Sequence, residues 1–263
     1  MQRGEALPSL AGDFVAILRR GGLLGPEFKG VSSSNPGLVE THATTILAFR
    51  FADGVLVAGD RRATAGNIVM YDRADKVLEI DQHSVIALAG SYATAWEMAR
   101  VLEHSFQFYR RSQLQEMSVE AKVRALSKLL RDNLGMVIQG VGVVVPLFAT
   151  YDSQSSDPAK VFFYDAMGAQ FEATDFAASG SGGPSVRSIL YYENHWSPQP
   201  LRQADQQTAI RIALRALDTA AEADTATGGI DRSGRLFPVV KLVNREGVHT
   251  VSPEELAAQF QST

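Results

Sequence analysis

The sequence predicts a mixed α/β (α+β) protein built as a four-layer αββα sandwich, two antiparallel sheets each flanked by a helix pair. Three observations predict it. Short β-prone runs follow one another directly; helical segments arrive in pairs; and those pairs separate blocks of strands. The resulting order is strands, two helices, strands, two helices, strands, which suits layered antiparallel sheets better than alternating βαβ units. No internal repeat at solenoid spacing competes with this reading.

The first strands are expected at Thr44–Phe51 and Val55–Gly59, with Ala52-Asp53-Gly54 between them. Asp-Gly between β-prone runs is a strong hairpin signal. Further runs follow at 67–71, 76–80 and 84–89, each bounded by Gly, Asp or Asn. A helix is expected from Ala95 to Leu114, with Met98, Val101, Leu102, Phe106 and Tyr109 at helical spacing. Ser118 caps the next, which runs to about Gln139 with Val123, Leu126, Leu130, Leu134 and Val137 on one face. Strands return at 143–151, 161–165 and near Phe171. Helices follow at 185–194 and 201–223, the second turning Ile210, Ala213, Leu214 and Leu217 inward. Runs at 239–243 and 248–251 form a closing hairpin, and Pro253 starts a last short helix.

Residues 1–43 read differently. One short apolar cluster around Phe14–Leu18 sits among Gly21, Gly22, Gly25, Gly30 and the run Ser32-Ser33-Ser34-Asn35-Pro36, a linker-like composition. The segment does not fit a secretory signal: its apolar core is short, Glu5 and Asp13 precede it, and Arg19-Arg20 follow it. The 263 residues are 45 % hydrophobic and 21 % charged, as in an ordinary globular protein. A net charge of −4 gives no electrostatic case for nucleic acid, and no apolar run reaches the roughly 18–20 residues that cross a bilayer. The absence of cysteine excludes disulfides, thiolate metal sites and a cysteine nucleophile, and suits a cytoplasmic location.

The chemistry is expected where the two parts join, at His42-Ala43-Thr44-Thr45-Ile46. Removal of residues 1–43 would leave Thr44 carrying both a hydroxyl and a free α-amine, so that one residue supplies nucleophile and base. An α-amine titrates near about 7.7–8.0, so roughly a tenth is neutral at pH 7; an ordinary lysine, near about 10.4, is almost wholly protonated. Lys76 is therefore read as a fixed positive charge beside the nucleophile, with Asp60 at the end of the second strand holding it.

Taken singly, each of these residues has a plainer reading: Asp60 a turn former, Lys76 a solvated strand lysine, Gly180-Ser181-Gly182-Gly183 a flexible loop. Ser179 in place of a glycine keeps that loop from matching the G-x-S-x-G elbow. Their joint occurrence behind a threonine at a cleavable join reverses the odds. His42, His83, His104, His195 and His249 are scattered with no metal-ligand spacing, and no phosphate loop or dinucleotide fingerprint is present. Trp96 and Trp196 are read as packing residues, and Phe106, Phe108 and Tyr109 as core or a subunit contact.

Thr44-Thr45-Ile46-Leu47-Ala48, Ala58-Gly59-Asp60-Arg61-Arg62-Ala63-Thr64, Lys76 and Ala89-Gly90-Ser91 resemble the active β subunits of 20S proteasomes, most closely the actinobacterial type. The likeness continues through Gly180-Ser181-Gly182 and Asp224-Thr225-Ala226-Thr227-Gly228-Gly229, so it covers residues 44–263. It implies the N-terminal-nucleophile hydrolase fold, a propeptide at 1–43 and a threonine peptidase domain at 44–263 cut between Ala43 and Thr44. By the same correspondence Thr44 is the nucleophile, Asp60 and Lys76 its charged pair, and Gly90 N–H the oxyanion donor. Ser181, Asp224 and Thr227 order the amine and its water. Ala63, Thr64, Ala74, Leu78, Leu88 and Tyr92 border the substrate, implying hydrophobic residues before the cut. Two positions depart from the family pattern: Thr227 stands where serine is usual, and Ala43 where glycine is usual, which bears on the rate of self-cleavage.

The resemblance also implies partners: α subunits, other β subunits in stacked heptameric rings, a ring ATPase, and peptide or unfolded protein as substrate. It implies no cofactor, metal, nucleic acid or membrane. Three alternatives stay open at this stage: an HslV-type peptidase, an N-terminal-nucleophile amidohydrolase acting on a small amide, and an inactive ring subunit.

Overall fold

The structure is a computed structural model that describes residues 44–65, 68–231, 233 and 236–261. The expectations for 1–43, Ala43 included, lie outside the described residues.

The first sheet joins β1 (Thr45–Phe51), β2 (Gly54–Gly59), β10 (Phe176–Gly180), β11 (Val239–Asn244) and β12 (Gly247–Thr250), in the order β10-β1-β2-β11-β12. The second joins β5 (Val77–Asp81), β6 (Ser84–Ala87), β7 (Leu147–Tyr151), β8 (Ala159–Tyr164) and β9 (Gln170–Glu172), in sequence order. All named strand pairs are antiparallel. Between the sheets in sequence lies a short hairpin of β3 (Ala63–Ala65) and β4 (Ile68–Tyr71). The helices are α1 (Tyr92–Gln113), α2 (Val119–Asp132), the short α3 (Leu134–Ile138), α4 (Gly183–His195), α5 (Gln206–Ala223) and α6 (Pro253–Gln261).

Strand β1 shows why four layers form. Every residue of it is buried, so alternate side chains must find separate apolar partners. Leu47, Phe49 and Phe51 pack on Val186 and Leu190 of α4 and on Ile210, Ala213, Leu214 and Leu217 of α5. Ile46 and Ala48 face the other way, onto Val77, Val85, Leu147 and Val161 of the second sheet. That sheet's opposite face, Ile80, Ile86 and Phe148, meets Met98, Leu102 and Phe106 of α1 and Val123, Leu126 and Leu130 of α2. The predicted αββα sandwich is the observed one.

The differences lie at element ends, in two short strands and in two exposed aromatics. The expected continuous helix to Gln139 stops at Asp132, capped by Asn133, and only a five-residue turn of helix follows. The expected helix at 201–223 starts at Gln206, where the Asp205 carboxylate accepts from Thr208 N–H at 2.8 Å; Leu201–Gln203 form a separate 3₁₀ turn. Strand β10 and the short β3 escaped the sequence reading, because Phe176-Ala177-Ala178-Ser179-Gly180 has little β-branched character. Phe108 and Trp196 are exposed while Phe106 is buried. The first hairpin turns through Ala52 and Asp53, leaving Gly54 as the first residue of β2. A Cβ at Gly54 would lie 2.1 Å from Val243 O, so glycine is needed there for the approach of β11.

Candidate active site

Thr44 directly precedes β1 and is buried. Its carbonyl accepts from Ser181 N–H at 2.9 Å, which fixes the start of the strand against the turn leaving β10. The next residue is held from the other side. Thr45 N–H donates to Asp60 Oδ1 at 2.8 Å, and Asp60 N–H returns a bond to Thr45 O at 3.0 Å.

Asp60 ends β2 and is the centre of the site. Lys76 Nζ donates to the same Oδ1 at 2.7 Å, while Arg62 N–H at 3.0 Å and Gly228 N–H at 2.8 Å donate to Oδ2. Both Asp60 and Lys76 are 0 % exposed. A buried carboxylate tolerates that only when its lone pairs are filled, and four donors fill them here. Lys76 also donates to the Arg62 carbonyl. Burial pushes the Lys76 amine below the usual lysine range, with the Asp60 carboxylate opposing that shift.

A second group closes over the first. Thr227 Oγ1 donates to Asp224 Oδ2 at 2.6 Å, and Ala226 N–H donates to Oδ1 at 3.0 Å. Burial alone would raise the Asp224 carboxyl. Hydrogen bonds from Ser181, Thr227 and Ala226, with the Arg62 charge, outweigh it and hold Asp224 below the usual carboxylate range. Arg62 Nη1 donates to the carbonyls of Thr225 (2.9 Å) and Thr227 (3.1 Å), tying this loop to the Asp60 turn.

Gly90 follows β6 with φ +103°, and a Cβ there would sit 2.0 Å from Val143 O. Only glycine fits both the left-handed backbone and the contact. Its neighbours anchor it: Ser91 N–H donates to Val143 O at 2.7 Å, and Val145 N–H to Ala89 O at 2.9 Å. Val145 O in turn accepts from Ser179 Oγ at 2.8 Å, and Ser179 pairs with Ile46. The Gly90 loop is thus linked to the strand that begins beside Thr44.

Residues expected along the substrate divide into two groups. Ala63 and Thr64 lie on β3, with an irregular register between them, and Ala74 N–H donates to Arg61 O at 2.9 Å. Tyr92 opens α1 and its hydroxyl donates to Asp75 O at 3.1 Å; Leu88 N–H donates to Lys76 O at 2.8 Å. Leu88 is buried in the core under α1, and Leu78 packs part-buried against the same core. Sequence reading assigned no role to Thr45, Arg62, Gly182 or Gly228, although all four bond to the central groups. Thr45 and Arg62 stand within quoted motifs, but a hydroxyl or guanidinium there gives no spacing signal of its own.

The family model described as "Proteasome subunit" matches residues 40–232. The chain belongs to the proteasome subunit family. It is 36 % identical over 251 residues to the proteasome subunit beta of Acidimicrobium ferrooxidans, covering 94 % of this chain and 88 % of that protein. It is 36 % identical over 270 residues to the proteasome subunit beta 2 of Thermomonospora curvata, covering 99 % and 92 %. The proteasome subunit beta of Streptosporangium roseum is 38 % identical over 224 residues, covering 84 % and 76 %. The resemblance to β subunits of actinobacterial type therefore holds over most of the sequence. A proteasome β subunit is a peptidase subunit that assembles into rings with other subunits. Among the described residues, no helix is long and apolar enough to cross a membrane.

Proposed function

We propose that residues 44–263 form a threonine-type peptidase whose nucleophile is Thr44 Oγ, released when residues 1–43 are cut away at Ala43–Thr44. One observation carries this reading: the N–H following Thr44 binds the same carboxylate oxygen that holds the fully buried Lys76. A threonine joined rigidly to a sealed ion pair, directly before a buried strand, has a fixed electrostatic environment before substrate arrives.

In the processed enzyme the α-amine takes the hydroxyl proton as Oγ attacks the scissile carbonyl. Gly90 N–H holds the oxyanion; the scissile C–N bond then breaks as the α-ammonium gives its proton to the leaving nitrogen, and an acyl-enzyme remains. Ser181, Asp224 and Thr227 order the amine and the water that releases the product. Peptide lies extended beside Thr64 and the Gly90 loop, adding backbone hydrogen bonds as an extra strand. Ala63, Ala74, Leu78, Leu88 and Tyr92 border the pocket for a hydrophobic residue before the cut. The working particle contains heptameric β rings with α subunits, takes unfolded protein from a ring ATPase, and operates in the cytoplasm.

Intact mass of the full chain co-produced with its ring partners tests the reading, together with labelling by a threonine-directed epoxyketone. Loss of residues 1–43 and one label at Thr44 are expected; Thr44→Ala abolishes hydrolysis. Undiminished peptide hydrolysis by Thr44→Ala would falsify the assignment, and fastest cleavage after charged residues in a fluorogenic panel would overturn the pocket.

A further inference from the structure

We propose that the Thr45 hydroxyl is a positioning group for the Thr44 centre, locking the Thr227–Asp224 pair to the first residue of the strand that follows the nucleophile. This rests on the reading of Thr44 above. Thr45 is 0 % exposed, and its Oγ1 lies 2.6 Å from Thr227 Oγ1. Gly182 N–H donates to the same oxygen at 2.9 Å.

The direction of this chain is forced. An ionised carboxylate accepts only, so Thr227 spends its one hydroxyl proton on Asp224. The proton between the two threonines must then come from Thr45. Gly182 N–H, Thr45 Oγ–H and Thr227 Oγ–H therefore point in series toward Asp224, and each bond polarises the next. The packing leaves no slack: a Cβ at Gly182 would lie 2.5 Å from Thr45 Oγ1 and 2.7 Å from Thr227 Oγ1.

A plain strand residue would not require this. Valine suits a buried strand as well as threonine does and keeps the β-branched shape. It would leave Gly182 N–H without its acceptor and Thr227 Oγ without its donor. Thr45 also spends its backbone N–H on Asp60. One residue thus joins both polar groups of the site, and the Asp224 loop moves with the strand that follows Thr44. Weakening the bonds to the charged form of Asp224 raises the pH at which it protonates.

The test is steady-state peptide hydrolysis by the full chain, self-processed in its assembled ring, for wild type, Thr45→Val and Thr45→Ser. Thr45→Val lowers kcat roughly tenfold to a hundredfold, the effect of losing one or two buried hydrogen bonds. KM stays within about twofold, because no substrate contact is removed. The acid limb of the kcat profile moves to higher pH, and Thr45→Ser recovers most of kcat and the original limb. An unchanged kcat in Thr45→Val, or a Thr45→Ser as impaired as Thr45→Val, overturns the proposal. If Thr45→Val does not assemble, Thr45→Ala replaces it with the same expected split; failure of both to assemble reduces Thr45 to structural support and overturns it too. Wild type without a label at Thr44 sinks the nucleophile assignment itself. A labelled wild type beside an unaffected Thr45→Val sinks this inference alone.

Discussion

Strand β1 has a buried cation at each end, and the two are built differently. At its start, Lys76 and Asp60 are both 0 % exposed, and four donors converge on the Asp60 carboxylate. At its end, Arg50 is 3 % exposed, but its partners Asp157 and Glu172 are 45 % and 43 % exposed. Arg50 donates to them at 2.7 and 3.0 Å and to Ala173 O at 2.9 Å. These carboxylates share further cations, Lys160 and Arg202, and Asp157 borders a cavity of about 590 Å³. The inner pair cannot exchange a lost partner for water; the outer cluster can. A sealed pair therefore sets the proton affinity of its lysine, whereas a half-open one clamps strands together.

The largest effect that would separate the two ends comes from Asp60→Ala. It strands a buried ammonium and three N–H donors, and should cost about 3–5 kcal/mol in denaturant unfolding of the full chain. Intact mass should show no cleavage at Ala43–Thr44. Arg50→Met keeps the length of the side chain but removes three hydrogen bonds. Its carboxylates retain Lys160, Arg202 and water, leaving Ala173 O as the chief loss, so the cost should be about 1–2 kcal/mol. Cleavage and labelling at Thr44 should be unaffected. If Arg50→Met blocks processing as Asp60→Ala does, the ends are not separable and β1 transmits strain along its length.

The same contrast explains what was legible in the sequence. The layers were readable because each is written as periodicity: the 3.6-residue spacing of Met98, Leu102 and Phe106, the two helix pairs, and the blocks of short strands. Asp60, Lys76, Gly90, Ser181, Asp224 and Thr227 were named from motif order, and the structure places them on segments that meet around the start of β1. Arg50 was invisible. A cation in a β-prone run reads as an edge or surface position, and its carboxylates stand 107 and 122 residues away. Thr45 was missed for a related reason, since its partner Thr227 is 182 residues distant and a second threonine in a strand needs no special explanation. Periodicity reports which face is buried; it does not report which polar atoms meet across a fold.

The smallest effect is the sharpest probe of the outer end. Asp157→Asn removes a charge but keeps an oxygen that can accept from Arg50 Nη1. Asp157 is also held by Arg202 at 3.4 Å and Lys160 at 4.0 Å, both loose contacts. The loss of stability should therefore stay below about 1 kcal/mol. It should also shrink with salt, because the screening length falls from about 10 Å at 0.1 M to about 3 Å at 1 M and water reaches this carboxylate. Asp60→Asn, measured in parallel by denaturant unfolding, should lose more and lose it equally at both salt concentrations, since no ion approaches a pair with zero exposure. A salt-independent loss at Asp157 as large as that at Asp60 would mean that the outer cluster is sealed as tightly as the inner pair, and exposure would not be what distinguishes a clamp from a reactive centre in this strand.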